Sequence, residues 1–168
     1  DYCDERSLPL WLVSEQRSRF NYHFNDRVPV VMAEIHTEIP ERCDLHTMLQ
    51  EPVVKAVMFL TAQEVREGPL SFMPHARSTQ WFIHGQDIIP TEGGKLPAMR
   101  FMAEANGWSP DELMAFGDSE NDNEMLRYAG TGVAMGNALE ETKAASDYVT
   151  DDCDDEGVAH ALAHFALI

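Results

Sequence analysis

From Lys95 onward, short apolar runs and helix-patterned stretches take turns along the chain. This alternation limits the possible folds more than any other feature of the sequence. Lys95–Asn106 carries apolar residues at Leu96, Met99, Met102 and Ala103, a helical spacing, and Gly107 stands where a C-terminal cap belongs. Ser109-Pro110-Asp111-Glu112 has the form of a helix start, with serine as the N-cap and proline in the first turn. Residues 113–117 (LMAFG) then read as a strand, 121–129 as a helix, 132–135 (GVAM) as a strand, 138–145 as a helix, 148–150 as a strand and 156–167 as a helix. Parallel strands need a crossover between them, so this order implies an α/β architecture: a parallel sheet with helices on its faces.

The first half has a different rhythm. Residues 8–13 (LPLWLV) and 28–35 (VPVVMAEI) each fit a strand or a short helix, and 43–49 read as a helix that stops before Pro52. Residues 53–60 (VVKAVMFL) form a continuous β-rich apolar run, the pattern of a buried strand. Thr61 and Glu64 are spaced as a capping box, and Gly68-Pro69 ends the helix they open. Residues 79–84 and 87–89 look like strands with a kink at Gly85, followed by a loop over 90–94. A boundary between two architectures is therefore expected near residues 91–95, dividing the chain into 1–91 and 92–168.

Composition narrows the partners. With 12 basic and 29 acidic residues the formal charge is −17, which repels nucleic acid and anionic membrane surfaces. It leaves a small phosphorylated ligand open, because a site can bind an anion locally through lysine, backbone N–H groups and a cation. At 44% hydrophobic the chain can bury a core, yet its apolar runs are far too short to span a bilayer. Cys3, Cys43 and Cys153 are odd in number and widely spaced, as expected of reduced thiols in a cytoplasmic protein, and no signal-peptide pattern is read at the first residues.

In a parallel sheet of this kind, ligands bind just beyond the carboxyl ends of the strands. The sequence at that point is Gly117-Asp118-Ser119-Glu120-Asn121-Asp122. Gly117 is expected to let the backbone turn sharply, Asp118 to be the first side chain facing the crevice, and Asn121 and Asp122 to open a helix whose free N–H groups favour anions. Two carboxylates and an amide are hard oxygen ligands suited to Mg²⁺, which keeps several waters and bridges to phosphate. Asp and Asn also cap turns and helices with no ligand involved. Lys95, opening a helix after Gly93-Gly94, is the natural ammonium partner for both phosphate and carboxylate.

Other patterns fail. Asp152-x-Asp154-x-Glu156-Gly157 imitates a calcium loop, but its twelfth position is Ala163. Gly94-Lys95 imitates a nucleotide-binding loop but is followed by Leu96. His160 and His164, four apart on a helix, read as a surface pair rather than as metal ligands, and the spacing of His36, Cys43 and His46 matches no zinc pattern. Trp11, Trp81, Phe82 and Trp108 read as packing residues, and His75 and Arg77 as a solvated loop.

Five motifs follow one another in order: GGKLPAM at 93–99, GDSEND at 117–122 with Met125-Leu126 after it, GVAMGNA at 132–138, ASDYVT at 145–150 and DEGVA at 155–159. This set resembles the haloacid dehalogenase (HAD) superfamily, in its Cof-type, sugar-phosphatase-like branch. The likeness is close over roughly the last 80 residues. Before them it is looser, with residues 54–60 and 79–90 similar to the end of that branch's α/β cap domain. The resemblance implies a HAD-like Rossmannoid sheet, its second half at 92–168, with part of a cap at 1–91. It implies an Mg²⁺-dependent phosphatase of small phosphorylated metabolites, in which an aspartate attacks phosphorus, an aspartyl-phosphate forms and water hydrolyses it. By position, Lys95 resembles the phosphate-binding lysine and Asn121 the amide that contacts phosphate. Asp118 resembles the magnesium-binding aspartate, and Asp122 the second acidic residue, supporting the metal and its waters.

The family's D-x-D-x-T nucleophile motif is not recognisable in this sequence, nor is its Ser/Thr motif. The expectation is thus a chain holding the later cap and the second half of the core, without turnover of its own and with a sheet edge open to association. The alternative is a non-catalytic relative that binds metal, phosphometabolite or a partner.

Overall fold

In the first half of the molecule, the apolar run around residues 53–60 becomes the middle strand of an antiparallel sheet. The computed structural model describes all 168 residues, which divide into two compact units, Asp1–Thr91 and Glu92–Ile168. The first unit contains β1 (Leu10–Ser14), β2 (Ser18–Phe20), β3 (Val53–Met58), β4 (Ala76–Phe82) and β5 (Gly85–Pro90), in the order β2-β1-β3-β5-β4, every neighbour antiparallel. Its helices are α1 (Tyr2–Glu5), α2 (Arg27–Glu34) and α3 (Ala62–Glu67).

The two ambiguous segments resolve by packing. Residues 10–14 pair with both β2 and β3 and are a strand. Residues 27–34 are a helix because Val28, Val31 and Met32 fall on one helical face and bury against Phe20, Val57 and Phe59. A second apolar layer, Cys3, Met58, Leu60, Val65 and Ile88, forms a separate cluster. β3 alternates between the two clusters, Val57 in one and Met58 in the other, as the period of two requires. The capping box is present, with Glu64 N–H donating to Thr61 Oγ1 and Thr61 N–H to Glu64 Oε2. Two expectations change here. Residues 43–49 hold only a 3₁₀ turn, Leu45–Met48, capped by Asp44, and the two strands expected over 79–84 and 87–89 form a hairpin in which Gly85 opens the return strand instead of lying at a kink between them.

The second unit is the parallel sheet expected from the alternation. β6 (Met114–Gly117), β7 (Thr131–Ala134) and β8 (Tyr148–Val149) lie in that order, and β6 has a strand neighbour on one side only. α4 (Lys95–Asn106) ends on Gly107 in the left-handed conformation. α5 (Asn123–Tyr128) follows β6, α6 (Glu140–Lys143) follows β7 and α7 (Gly157–His164) follows β8. Ala115, Leu126 and Ala129 form the core, with Met99, Leu113 and Met125 packed on it. Three helices are shorter than their sequence patterns. Residues 109–112 make one 3₁₀ turn before the chain extends into β6. α6 and α7 occupy only parts of 138–145 and 156–167. Met102, expected on the buried stripe of α4, is 53% exposed, as are Phe101 and Trp108 to similar or greater degree. No helix is long and apolar enough to cross a membrane.

Candidate active site

All three strands of the second unit run in one direction, so the residues after Gly117, Ala134 and Val149 emerge at one edge of the sheet. Asp118 is the first residue past β6, and its side chain is exposed there. The four residues after it fold back. Asp122 N–H donates to Ser119 O (2.9 Å), and Glu120–Asp122 form a 3₁₀ turn ahead of α5.

That turn carries Asp122 under the end of β6, where it is 1% exposed. A buried carboxylate is costly unless its lone pairs are filled. Here Oδ2 accepts from the backbone N–H groups of Asp118 (3.0 Å) and Ser119 (3.2 Å), and Oδ1 accepts from Lys95 Nζ (2.5 Å). Lys95 stands at the first position of α4, with its side chain about half exposed, and its ammonium also lies 3.5 Å from Asn121 Oδ1. Lys95, Asn121 and Asp122 are thus in mutual contact, and the backbone of Asp118 is tied to the same carboxylate.

Gly117 serves this arrangement differently from the sequence expectation. Its φ is not positive, so no sharp left-handed turn is involved. A Cβ at this position would instead lie 2.7 Å from Asp122 Cγ. The missing side chain makes room for the buried carboxylate. The expected anion-binding helix start is also altered: α5 is only six residues long, and the N–H groups of Asp118 and Ser119 are occupied by Asp122.

The donors at this edge are oxygens: the exposed Asp118 carboxylate, the Asn121 amide and the Asp122 carboxylate behind them. This set fits Mg²⁺, which commonly takes one or two carboxylates and completes its shell with water and phosphate. It does not fit a thiophilic ion. The rejected candidates separate in space. His160 Nδ1 lies 2.8 Å from Asp151 Oδ2, whereas His164 stacks on Tyr148 with ring centroids 4.4 Å apart. Trp11, Trp81 and Phe82 pack against the first unit's core as expected; Trp108 does not. Lys95, Asn121 and Asp122 lie together at the sheet edge where their sequence positions put them, whereas the packing role of Gly117 leaves no mark in the sequence, since glycine at a strand end signals a turn as readily as a cavity.

The chain belongs to the haloacid dehalogenase-like hydrolases, whose family model matches residues 1–162. The likeness therefore runs through the first unit and is not confined to the C-terminal part, as the ordered motifs alone suggest. Phosphoglycolate phosphatase of Methanothermobacter thermautotrophicus is 33% identical over 152 residues, covering 85% of this chain and 67% of that protein. YkrA of Bacillus subtilis (strain 168) is 29% identical over 166 residues, covering 99% of this chain and 63% of YkrA. Among solved structures, the HAD subclass IIB sugar phosphatase BT4131 superposes with a TM-score of 0.85 at 29% identity, covering 99% of this chain and 64% of that one. The chain thus spans somewhat less than two thirds of YkrA and of BT4131.

Proposed function

We propose that these residues are part of an Mg²⁺-dependent phosphatase acting on a small phosphorylated metabolite of the sugar-phosphate kind, in the cytoplasm. The reading is carried by one observation: the buried Asp122 carboxylate gathers the Lys95 ammonium and the Asp118 backbone at the carboxyl edge of a parallel sheet. The names of the phosphatases it resembles support the reaction class. Asp118 would hold the metal and Asp122 would support it from behind. Lys95 would pair with the phosphoryl oxygens, and Asn121 would donate its amide to them. When bound, Mg²⁺ neutralises charge that builds on the phosphoryl group. Asp122 keeps the ammonium aimed and excludes water from beneath it.

The attack on phosphorus, with an aspartyl-phosphate intermediate, requires a further carboxylate that these residues do not bring to the site. The 1–91 unit would act as the cap that selects substrate, and 92–168 as the second half of the core. The unpaired edge of β6 would take up a further parallel strand, and the exposed Phe101 and Met102 of α4 fit a face with more protein to cover it. The test is hydrolysis of a generic aryl phosphate by the full-length protein, with and without Mg²⁺. Activity unchanged by excess chelator, or retained in Asp118→Asn, rejects the assignment.

A further inference from the structure

The GVAMGNA motif at residues 132–138 has no part in the chemistry proposed above, yet the loop that it enters touches Asp118 directly. Leu139 N–H donates to Asp118 O (3.0 Å), and Met135 N–H donates to Gly117 O (2.9 Å). The loop is itself pinned from the far side. Gly136 N–H donates to Asp151 O (3.0 Å), and Asn137 Oδ1 accepts from Cys153 N–H (3.3 Å). A Cβ on Gly136 would lie 2.7 Å from Asp152 N and 2.8 Å from the Asp151 carbonyl carbon, which are backbone atoms that cannot give way. Glycine is therefore what lets this loop sit so close to the segment after β8.

We infer that the loop over residues 135–139 is a positioning element for Asp118, acting through the backbone N–H of Leu139. This role presupposes Asp118 as the metal-binding carboxylate, as proposed above. Asp118 is then gripped at both of its peptide groups, its N–H by Asp122 and its C=O by Leu139, while its side chain stays exposed at the sheet edge. With its backbone fixed at both ends, Asp118 launches its side chain from one place at the sheet edge, and such supporting contacts tune metal affinity. Leu139 is a positioning residue and its side chain, 52% exposed, takes no part.

Leu139 already has φ −60°, the value that a proline ring imposes. Leu139→Pro therefore deletes the N–H without demanding a new φ, and Leu139→Ala keeps it. With Mn²⁺ alone as the probe, the 168-residue chain is expected to show paramagnetic broadening of amide NMR signals centred on residues 118–122, lost in Asp118→Asn. Leu139→Pro is expected to need about tenfold more Mn²⁺ for half-broadening, and to speed hydrogen exchange at the Asp118 and Ser119 amides, while Leu139→Ala behaves as wild type. A defect of folding alone would lower the melting midpoint without moving the metal titration.

A proline variant that titrates and exchanges like the alanine variant overturns the role. If Asp118→Asn broadens like wild type, the metal assignment fails instead, and exchange at residues 118 and 119 then decides the loop's role: faster exchange in Leu139→Pro sustains it and unchanged exchange removes it. Should Leu139→Pro not fold, Gly136→Ala displaces the same loop and is read by the same two measurements.

Discussion

Lys95 Nζ lies 2.5 Å from Asp122 Oδ1, joining the first residue of α4 to the turn that follows β6. The pair is lopsided: the lysine side chain is 47% exposed and the aspartate 2%. The carboxylate therefore depends on its donors far more than the ammonium depends on the carboxylate. Asp122→Ala strands two N–H groups and the ammonium, and is expected to cost about 3 kcal/mol in urea unfolding of the chain. Lys95→Met leaves the two backbone donors in place, and with a half-exposed partner its cost is expected near 1 kcal/mol. Equal losses for the two variants would show that the carboxylate is not the hub.

Gly117→Ala is expected to act on the same carboxylate from the other side. The added methyl would sit 2.7 Å from Asp122 Cγ, so either the strand end or the aspartate must move. Overpacking of this kind costs about 1–3 kcal/mol. The diagnostic result is pairing: in a double-mutant cycle with Asp122→Gly, the Gly117→Ala penalty should shrink markedly, because both the Asp122 Cβ and the carboxyl carbon that the methyl strikes are gone. Additive losses would place the strain elsewhere.

How much of this could be read in advance depends on where each interaction lives. α4 is legible at both ends because Gly93-Gly94 precedes it and Gly107 caps it, both local signals. The β-α order of the second unit is legible because each parallel strand is joined to the next by its own crossover. Asp118, Asn121, Asp122 and Lys95 stand out because side-chain chemistry shows in a sequence. The grip of Leu139 on Asp118 does not, since a backbone N–H is present in almost any residue. The first unit resists for another reason. An apolar run such as residues 53–58 fits a parallel or an antiparallel strand equally well, and pairing with β1, some forty residues earlier, leaves no local mark. Val28, Val31 and Met32 fit either period until Phe20 and Phe59 are known to lie beneath them.

Glu64 gives the first unit an acid-sensitive tie. Its carboxylate accepts from Arg27 Nη1 (2.7 Å) and caps α3 through Thr61 N–H (2.7 Å). The Arg27 guanidinium, more than the cap, holds its pKa down, from 4.5 to about 2. A carboxylate whose pKa is lower folded than unfolded contributes stability that is complete above the unfolded value and lost as pH falls through the folded one. Stability should therefore decline between about pH 4.5 and pH 2 in part because of this group. In Glu64→Gln the decline over that window should be shallower, with wild type and variant converging near pH 2. Because Glu64 is 44% exposed, the difference should also diminish in high salt. Parallel urea midpoints across the window would rule the tie out.

Gln86, on β5, is fully buried, and neither its side-chain oxygen nor its nitrogen has a hydrogen-bond partner. Its neighbours on the adjoining strands are Met58 and Gln80. An amide buried without a protein partner forfeits about 1–3 kcal/mol that an apolar side chain of similar length avoids. Methionine matches its reach and adapts to irregular space. Gln86→Met is accordingly expected to leave the fold unchanged and to raise stability by about 1 kcal/mol. Gln86→Ala should lower it, since the cavity that alanine leaves outweighs the relief of removing the amide. The sign of the methionine result separates the possibilities: a loss of stability would mean that the amide is satisfied in solution, by a buried water or by a shift of the strand.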